Sequence, residues 1–277
     1  MSTAERWNAI VVSAEDEIDL AEAALLIAAD EYRELDIPAY LSRIEEMGAE
    51  LRRRLRQDIS PTETILALNH YLFDELGFAG NAADYYDPRN SFLNDVLDRR
   101  VGIPITLAVL YIEIGRRVGL LLHGVSFPGH FLVKCVVRDG AIVLDPYARG
   151  TSLGLEDLQE RLQALHGSEL PLQMVRQALT AAAKKEILAR MLRNLKSIYR
   201  NRSESERALS AAHRLVALAP EAAEEYWERA AIFLELECFR AAAADLHRYL
   251  QLEPGAEDAA QVRRELAELE KIAARLN

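Results

Sequence analysis

Cysteine is scarce in this sequence, which contains only Cys135 and Cys238 in 277 residues. The two lie far apart along the chain. Small secreted domains rely on closely spaced cysteines, so we expect no structural disulfide here. A reducing compartment follows from this, and the cytoplasm is the expected location.

Long apolar runs are also missing. No stretch approaches the roughly 18 apolar residues that a membrane-spanning helix needs. Residues 1–7 show no basic segment followed by an apolar one, so no signal peptide is expected. We therefore expect no membrane partner.

Positive charge is in short supply. The chain has 33 Lys and Arg against 44 Asp and Glu, a net charge of −11. Since nucleic acids bind basic surfaces, this balance argues against a nucleic-acid partner. Histidines and carboxylates nowhere show metal-site spacing, so we expect no metal and no other cofactor.

Apolar side chains, in contrast, are abundant. Hydrophobic residues make up 50% of the chain, as in a globular protein rather than a disordered one. The length suits one large or two medium domains. From the patterns described below, we expect an α+β domain over residues 1–175 and an all-α array over residues 176–277.

A buried helix is predicted to begin at Pro104 and to end near Gly119. Proline is favoured in a first helical turn because its missing N–H would be unpaired there anyway. Glycine is favoured where a helix ends in a left-handed cap. Apolar residues recur between them at helical spacing: Leu107, Leu110, Ile114 and Val118.

Three strand-like segments follow this helix, at about residues 122–127, 131–137 and 141–144. His130 precedes the second strand and Asp145 follows the third. Alternation along the second strand places Cys135 on the opposite face from His130, which makes that thiol a poor nucleophile for a site at His130.

The turn between the last two strands contains Asp139-Gly140, a common two-residue hairpin turn. A strict turn there pairs Asp145 with Lys134 and leaves it about four residues from His130 in register. We therefore expect that a bulge or irregular pairing is needed to bring His130 and Asp145 together.

Helices are predicted before this core as well. Residues 14–35 carry a helical apolar stripe with a possible capping box at Ser13 and Asp16, and a second helix is expected over residues 36–56. Ser60-Pro-Thr-Glu63 is a strong capping box that begins a third helix, ending near residue 75. Residues 155–166 form a later helix, followed by a long helical stretch from about 171 to 200.

The loop over residues 77–89 is unusually aromatic. Tyr85 and Tyr86 either pin the loop to the core or form the rim of a groove. A short helix follows, in which Asn90 and Asn94 are one turn apart and either tie the loop down or contact a ligand. Arg100 either pairs with a nearby aspartate (Asp87, Asp95 or Asp98) or faces a ligand carboxylate.

The C-terminal third contains a repeat. Residues 208–220 recur as residues 242–254, and the two terminal prolines are 34 positions apart, the period of tetratricopeptide (TPR) repeats. Ala208 and Ala242 occupy the position where the two helices of a repeat approach closely. A last helix, about residues 257–276, would cap the array.

Several motifs resemble one family. They are Gly77-Phe-Ala-Gly-Asn81, Asp84-Tyr-Tyr-Asp-Pro-Arg-Asn-Ser-Phe-Leu-Asn94, Gly102-Ile-Pro-Ile-Thr106, Phe127-Pro-Gly-His-Phe131 and Leu144-Asp-Pro146. Together they resemble the SirB family of bacterial transglutaminase-like proteins with C-terminal TPR repeats. The resemblance implies a papain/transglutaminase-like core of helices and a small antiparallel sheet, followed by a TPR-like helical array.

The resemblance also implies where a catalytic triad would lie. In transglutaminase-like enzymes a nucleophilic cysteine begins the central helix, and a histidine and an aspartate follow on strands. Ala108, Arg116 and Gly119 match the residues that follow this cysteine in the family's sequence pattern, so Pro104 takes the cysteine position. His130 and Asp145 match the other two members of the triad. Proline has no nucleophilic group, so catalysis is not expected.

Two functions follow from this. The first is a non-catalytic adaptor that binds a protein or peptide in the relict cleft, with the TPR array as a second contact surface. The second is a hydrolase or acyltransferase that uses His130 and Asp145 with another nucleophile, such as Thr106 or Ser126; a purely structural scaffold is a third reading. The sequence does not indicate an oligomeric state. The expected binding residues are Asn81, Tyr85, Tyr86, Asn90, Asn94, Arg100, Thr106 and His130.

Overall fold

The computed structural model describes residues 2–167 and 171–275. The chain divides into two compact units, Met1–Leu188 and Ala189–Asn277. Within the first unit the helices before the sheet are α1 (Thr3–Val12), α2 (Leu20–Ala28), α3 (Ile37–Arg54), α4 (Pro61–Asn69), α5 (Leu93–Arg99) and α6 (Pro104–Arg117). The strands are β1 (Ala79–Gly80), β2 (Val101–Gly102), β3 (Leu122–Val125), β4 (Leu132–Val137), β5 (Gly140–Asp145) and β6 (Thr151–Leu153).

Helix α6 forms the centre of the first unit. Pro104 occupies its first turn and every residue from there to Gly115 is buried. Gly119 follows the helix with φ +90°, as predicted for a left-handed cap. A Cβ at Gly115 would lie only 2.3 Å from Leu122 Cδ1, so glycine allows α6 to approach β3 closely. The predicted central helix is confirmed.

Strands β3 to β6 form a four-stranded antiparallel sheet in sequence order, and β1 and β2 form a separate parallel pair. One face of the sheet packs on α6. The other face is covered by α7 (Leu155–His166) and α8 (Leu172–Ala178), with a core formed by Val125, Phe127, Leu132, Val143, Leu158, Leu162 and Val175.

The expected register of the β4–β5 hairpin is wrong. Val137 pairs with Gly140, so the two loop residues are Arg138 and Asp139. Gly140 has φ +149° and uses its conformational freedom to begin β5 instead of forming the turn. The strands consequently shift by two residues, and Lys134 pairs with Val143 instead of Asp145.

Two predicted helices also differ from the structure. The helix expected over residues 14–35 is shorter, because Asp19 caps α2 by accepting the N–H of Glu22, and Ser13 ends α1 instead of beginning a helix. The stretch expected to be helical from about 171 to 200 is interrupted between α8 and α9 (Lys184–Asn201). In this gap the backbone N–H of Ala182 donates to Gly124 on β3, at 2.8 Å.

The third helix, in contrast, begins as predicted. Ser60 and Glu63 form a reciprocal capping box at the start of α4. The chain then continues as a π-helical turn over His70–Glu75.

The second unit is helical throughout its described residues. Its elements after α9 are α10 (Ser205–Leu218), α11 (Ala223–Glu235), α12 (Phe239–Leu252) and α13 (Ala259–Arg275). Each recurring segment of the predicted repeat lies largely on one helix, residues 208–220 on α10 and residues 242–254 on α12. Ala208 and Ala242 are fully buried. The expected fold class is confirmed: helices with a small antiparallel sheet, followed by a helical array. Across the described part of the chain, none of the helices has the length and apolarity needed to cross a bilayer.

Candidate functional site

His130 and Asp145 lie in direct contact. His130 Nε2 is 2.8 Å from Asp145 Oδ1. The shifted register explains this, because Leu144 pairs with Val133 and Asp145 therefore ends β5 next to the segment that leads into β4. No bulge is needed. The Asp145 side chain is 2% exposed and that of His130 is 20% exposed, so only the histidine is accessible to solvent.

Asp145 is held from several sides. Its Oδ1 also accepts the backbone N–H groups of Tyr147 and Ala148, at 3.1 and 3.3 Å. Its Oδ2 lies 3.0 Å from Nη1 of Arg161 on α7. Burial raises the pKa of Asp145, but the contacts with His130 and Arg161 and the backbone hydrogen bond outweigh it, so the net pKa lies below the usual value. The carboxylate is therefore ionised at neutral pH.

The beginning of α6 is built on Thr106. Its hydroxyl donates to the carbonyl of Asn90 at 2.7 Å and accepts the N–H of Ile103 at 3.1 Å. Thr106 is fully buried. These bonds fix the turn that carries Pro104, and they occupy the hydroxyl that the sequence offered as a substitute nucleophile.

Tyr147 connects this region to the histidine. Its ring centroid is 6.0 Å from that of His130, at 83° between the planes. On another side, a Cβ at Gly80 would lie 2.4 Å from the Tyr147 ring, so the ring packs directly on the backbone of β1. Gly80 pairs with Gly102, two residues before Pro104. The chain of contacts therefore runs from His130 through Tyr147 to the strand that leads into α6.

The two loop tyrosines are exposed and extend the contacts of Tyr147. Tyr85 lies 6.3 Å from Tyr147 and 5.3 Å from Tyr86, measured between ring centroids. Tyr85 is 39% exposed and Tyr86 is 67% exposed. These rings are therefore on the surface and connected to His130 by consecutive ring contacts.

Two asparagines of the motif, Asn81 and Asn90, hold the loop over residues 77–89 by hydrogen bonds. Asn90 is fully buried, and its Nδ2 donates to the carbonyls of Asp84 and Tyr85. Asn81 donates to Asn90 Oδ1 at 3.1 Å. Asn94 is also buried, and its Oδ1 has no hydrogen-bond partner among the described residues.

Arg100 lies apart from this network. It is exposed, adopts a left-handed conformation with φ 59°, and ends α5. Within the described ranges it forms no ion pair; its neighbour Arg99 instead contacts Asp87, at 3.1 Å. The structure thus brings Asn81, Asn90 and Thr106 together in the loop support, and leaves Arg100 outside it.

Several residues of the site escaped sequence reasoning. Arg161 lies on the polar side of a predicted helix, and nothing in the sequence connects it to Asp145. Tyr147 directly follows the Asp-Pro motif, and this position could have identified it as part of the site. Asn69 was also missed: it accepts from Tyr111 Oη at 2.8 Å and donates to the Gly150 carbonyl at 3.0 Å, which ties α4, α6 and the turn after β5 together.

Metal binding finds no support in the part of the chain that the structure describes. No three His, Cys, Asp or Glu side chains come close enough together there to hold an ion. The two cysteines are free thiols. Cys135 is fully buried and burial raises the pKa of its thiol.

Comparison with known proteins places the chain in a family. Residues 38–193 match the model of the transglutaminase-like superfamily, and residues 195–267 match a tetratricopeptide repeat model. A UPF0162 protein of Xylella fastidiosa (strain 9a5c) is 42% identical over 264 residues, covering 95% of this chain and 94% of that protein. A UPF0162 protein of Pseudomonas aeruginosa is 34% identical over 90% of each chain.

A more distant similarity involves a longer protein. The human protein named F-box only protein 21 is 33% identical over 150 residues, which are 50% of this chain and 22% of that protein.

The expected transglutaminase-like domain followed by TPR repeats is confirmed, and this combination fits a role in protein interaction. By the matches to the family model and to the bacterial relatives, the chain belongs to the transglutaminase-like superfamily and, within it, to the UPF0162 proteins.

Proposed function

We propose that this protein is a non-catalytic adaptor that binds a protein or peptide segment over the region of His130. The observation that carries the proposal is the combination of Pro104 at the start of α6 with a closed His130–Asp145–Arg161 cluster. Proline offers no hydroxyl, thiol or amine. The cluster keeps a histidine–carboxylate pair, and the same carboxylate also contacts the Arg161 guanidinium.

A hydrolase or acyltransferase is the alternative, and the intact His130–Asp145 contact favours it. The nucleophiles available to it are weak. Thr106 is buried with its hydroxyl engaged by Asn90, and Cys135 is buried with a raised pKa. Ser126 is exposed and lies in the segment between β3 and β4. An acyl transfer needs a nucleophile within hydrogen-bond reach of its base. The burial of Thr106 and Cys135 argues against those two, so the alternative depends on Ser126.

The expected binding residues divide by exposure. Tyr85, Tyr86 and His130 are the ones that a partner can reach, and we propose them as contact residues. Arg100 is exposed at the end of α5 and is proposed as a peripheral contact. Asn81, Asn90 and Thr106 act indirectly, by holding the loop and the first turn of α6. Asn94 is buried, so a partner does not reach it in this structure.

The helical array is proposed as the second contact surface, since TPR repeats suggest protein partners. The similarity to F-box only protein 21 supports a binding module that occurs in different proteins, because the shared segment is a minor part of that longer protein. Assignment to the SirB family remains our proposal, as does the absence of nucleic-acid and membrane partners. Two free cysteines support the reducing cytoplasm as the compartment.

Affinity capture from the source cell tests the adaptor role. Wild type, Tyr86→Ala and Val12→Ala are used as baits, and captured proteins are identified by mass spectrometry. Val12 is an exposed apolar residue on α1, outside both proposed contact surfaces, and controls for nonspecific apolar binding. We expect at least one protein captured by wild type and by Val12→Ala that Tyr86→Ala loses. Identical captures by all three baits would contradict the assigned site.

Activity is tested separately with electrophilic probes for activated hydroxyls and thiols. Because Cys238 is an exposed thiol, the probes are used on Cys238→Ala with and without His130→Ala. The adaptor predicts no labelling that depends on His130. Labelling of a serine or threonine that disappears in His130→Ala would establish the hydrolase instead.

A further inference from the structure

Two exposed tyrosines and a half-buried one form a continuous row beside His130. We define the tyrosine row as Tyr86, Tyr85 and Tyr147. Successive ring centroids are 5.3 and 6.3 Å apart, and the planes are inclined at 78° and 72°. Neighbouring rings thus alternate between face and edge, and the row ends against the His130 imidazole. Such a surface offers shallow corners between perpendicular rings.

The row is held in place before any partner arrives. Buried Asn90 fixes the loop by accepting from Asn81 and donating to the carbonyls of Asp84 and Tyr85. Gly80 allows the Tyr147 ring to lie directly on the β1 backbone. Exposed rings that are already ordered lose little entropy on binding, which is why tyrosine is enriched at recognition surfaces.

A negative charge lies at the Tyr85–Tyr86 end of the row. Asp84 precedes Tyr85, is exposed, and forms no ion pair among the described residues. The chain as a whole carries a net charge of −11. A partner with a positive charge at the Tyr85–Tyr86 end is therefore favoured, and an acidic or phosphorylated partner is disfavoured.

The chemistry of the row selects among the usual modes of peptide recognition. A bound helix needs a continuous apolar groove, whereas this row carries phenolic hydroxyls and an imidazole. Strand addition needs an exposed sheet edge, and β6, the edge strand that follows Tyr147 in the chain, is only three residues long. A polyproline II segment has no internal hydrogen bonds, so its carbonyls are free to accept from tyrosine hydroxyls while its proline rings pack on aromatic faces.

We propose that the tyrosine row binds a proline-rich segment carrying a lysine or arginine, with the basic residue at Asp84. The inference rests on the proposed adaptor function and specifies its occupant. Proline rings fill the corners between Tyr86, Tyr85 and Tyr147. The tyrosine hydroxyls donate to carbonyls of the segment, and the basic side chain pairs with the Asp84 carboxylate.

The test uses fluorescein-labelled peptides of three Pro-Pro-Ala repeats with one arginine at either the first or the last position. Control peptides replace every proline by alanine or the arginine by glutamate. Binding to the full chain is followed by fluorescence anisotropy. We expect one arginine orientation to bind, with Kd on the order of 100 µM, and both control peptides to bind at least about tenfold more weakly.

Variants then locate the site. We expect Tyr86→Ala to weaken binding about tenfold, and Asp84→Asn to weaken it about two- to fivefold at low salt with a smaller salt dependence. Val12→Ala, which shortens an exposed apolar side chain on α1, should leave Kd unchanged. Because Tyr86 and Asp84 are exposed, these variants should fold normally, which circular dichroism verifies.

The inference is overturned if neither arginine peptide binds at about 1 mM, which is near the weak limit of specific recognition. It is also overturned if the all-alanine control binds equally well, or if Tyr86→Ala leaves Kd unchanged. Competition by tetramethylammonium alone would also overturn it, since that outcome identifies an aromatic cage for a cation. If affinity capture still depends on Tyr86 in any of these cases, the adaptor function stands and only its occupant is wrong.

Discussion

Asp145 lies between two cationic or protonatable side chains, with Oδ1 2.8 Å from His130 Nε2 and Oδ2 3.0 Å from Arg161 Nη1. In a catalytic triad the carboxylate orients a histidine that faces a nucleophile. Here the same carboxylate is shared with a guanidinium on α7. The Asp145 carboxylate therefore connects the sheet to α7 as well as contacting His130.

The ionisation of Asp145 should appear in the pH dependence of stability. Its pKa is lowered in the folded state, so its contribution is complete above its unfolded pKa of about 4 and is lost as pH falls through the lower folded value. We expect Asp145→Asn to lower the free energy of unfolding at pH 7 by roughly 1–3 kcal/mol, and the difference from wild type to shrink below about pH 4. Urea denaturation between pH 3 and pH 7 measures this.

Asp139→Asn serves as the matched control, because Asp139 is exposed in the β4–β5 hairpin loop. We expect it to leave the unfolding free energy nearly unchanged at every pH. A constant difference between Asp145→Asn and wild type across that range would show that the interactions of Asp145 do not depend on its charge.

Packing of Tyr147 on Gly80 makes a second prediction. A methyl group at Gly80 would lie 2.4 Å from the Tyr147 ring, so Gly80→Ala must displace the ring or the backbone of β1. We expect a loss of roughly 1–3 kcal/mol in unfolding free energy, and a changed NMR shift of the His130 imidazole because its ring contact moves. Gly255→Ala is the control, since a Cβ there meets nothing within 4 Å. An unshifted His130 resonance in Gly80→Ala would mean that Tyr147 does not connect the two.

Signals from residues close in the sequence made α6 predictable. The rest of the site depends on contacts between residues far apart in the sequence, which sequence patterns do not show. The limits of α6 follow from Pro104 and Gly119, which act within one turn of the chain. The β4–β5 register depends on whether Gly140, with its positive φ, lies in the turn or at the start of β5. The neighbouring residues do not determine which of the two occurs. Asp-Gly is favoured in the turn itself, yet here the glycine begins the strand.

Contacts between distant elements were beyond the reach of sequence patterns. Arg161 follows Asp145 by a turn, a strand and part of a helix, so only the packing of α7 on the sheet brings them together. The sequence favours an internal support over a ligand contact for Asn90 without identifying its partners; these are the Asp84 and Tyr85 carbonyls, which agree with the internal role. Exposure of Tyr85 and Tyr86 likewise depends on how the loop is held, which composition does not reveal.

The nucleophile position makes a third prediction. If the frame that places Pro104 at the cysteine position is right, Pro104 lies within about one side-chain length of His130, and Pro104→Cys puts a thiol near the imidazole. Such a neighbour lowers a thiol pKa and speeds alkylation. In a Cys238→Ala background, we expect iodoacetamide to modify Pro104→Cys several-fold faster than the same protein carrying His130→Ala. Equal rates would count against a preserved pair.

A buried ion cluster in the helical array makes a fourth prediction. Lys196 Nζ lies 2.6 Å from Glu225 Oε2, and both side chains are almost completely buried. Burial raises the pKa of Glu225, but Lys196 and Arg193 outweigh it and hold the net pKa below its usual value. We expect Lys196→Met to lower the unfolding free energy by roughly 3–5 kcal/mol, because it leaves a buried carboxylate with reduced compensation.

Two further variants complete that experiment. The double change Lys196→Met with Glu225→Leu should recover much of the loss, because it removes the remaining buried charge. Lys271→Met is the control, since its ion pair with Glu268 is exposed and should be worth under about 1 kcal/mol. No recovery in the double variant would show that packing, and not charge, dominates at Lys196.

The last prediction concerns the closest helix approach in the second repeat. Ala242 on α12 is fully buried in a cluster with Ala230 on α11 and Val262 on α13. Leucine at this position would overpack the contact, so we expect Ala242→Leu to cost roughly 1–3 kcal/mol. Ala244→Leu, an exposed position on the same helix, should cost little. Because each repeat is stabilised mainly by its neighbours, limited proteolysis of Ala242→Leu should cut within the second unit, residues 189–277, and leave the first unit intact. Unchanged melting and proteolysis would mean that α11 and α12 do not meet at Ala242, and that the register assigned to the repeat is wrong.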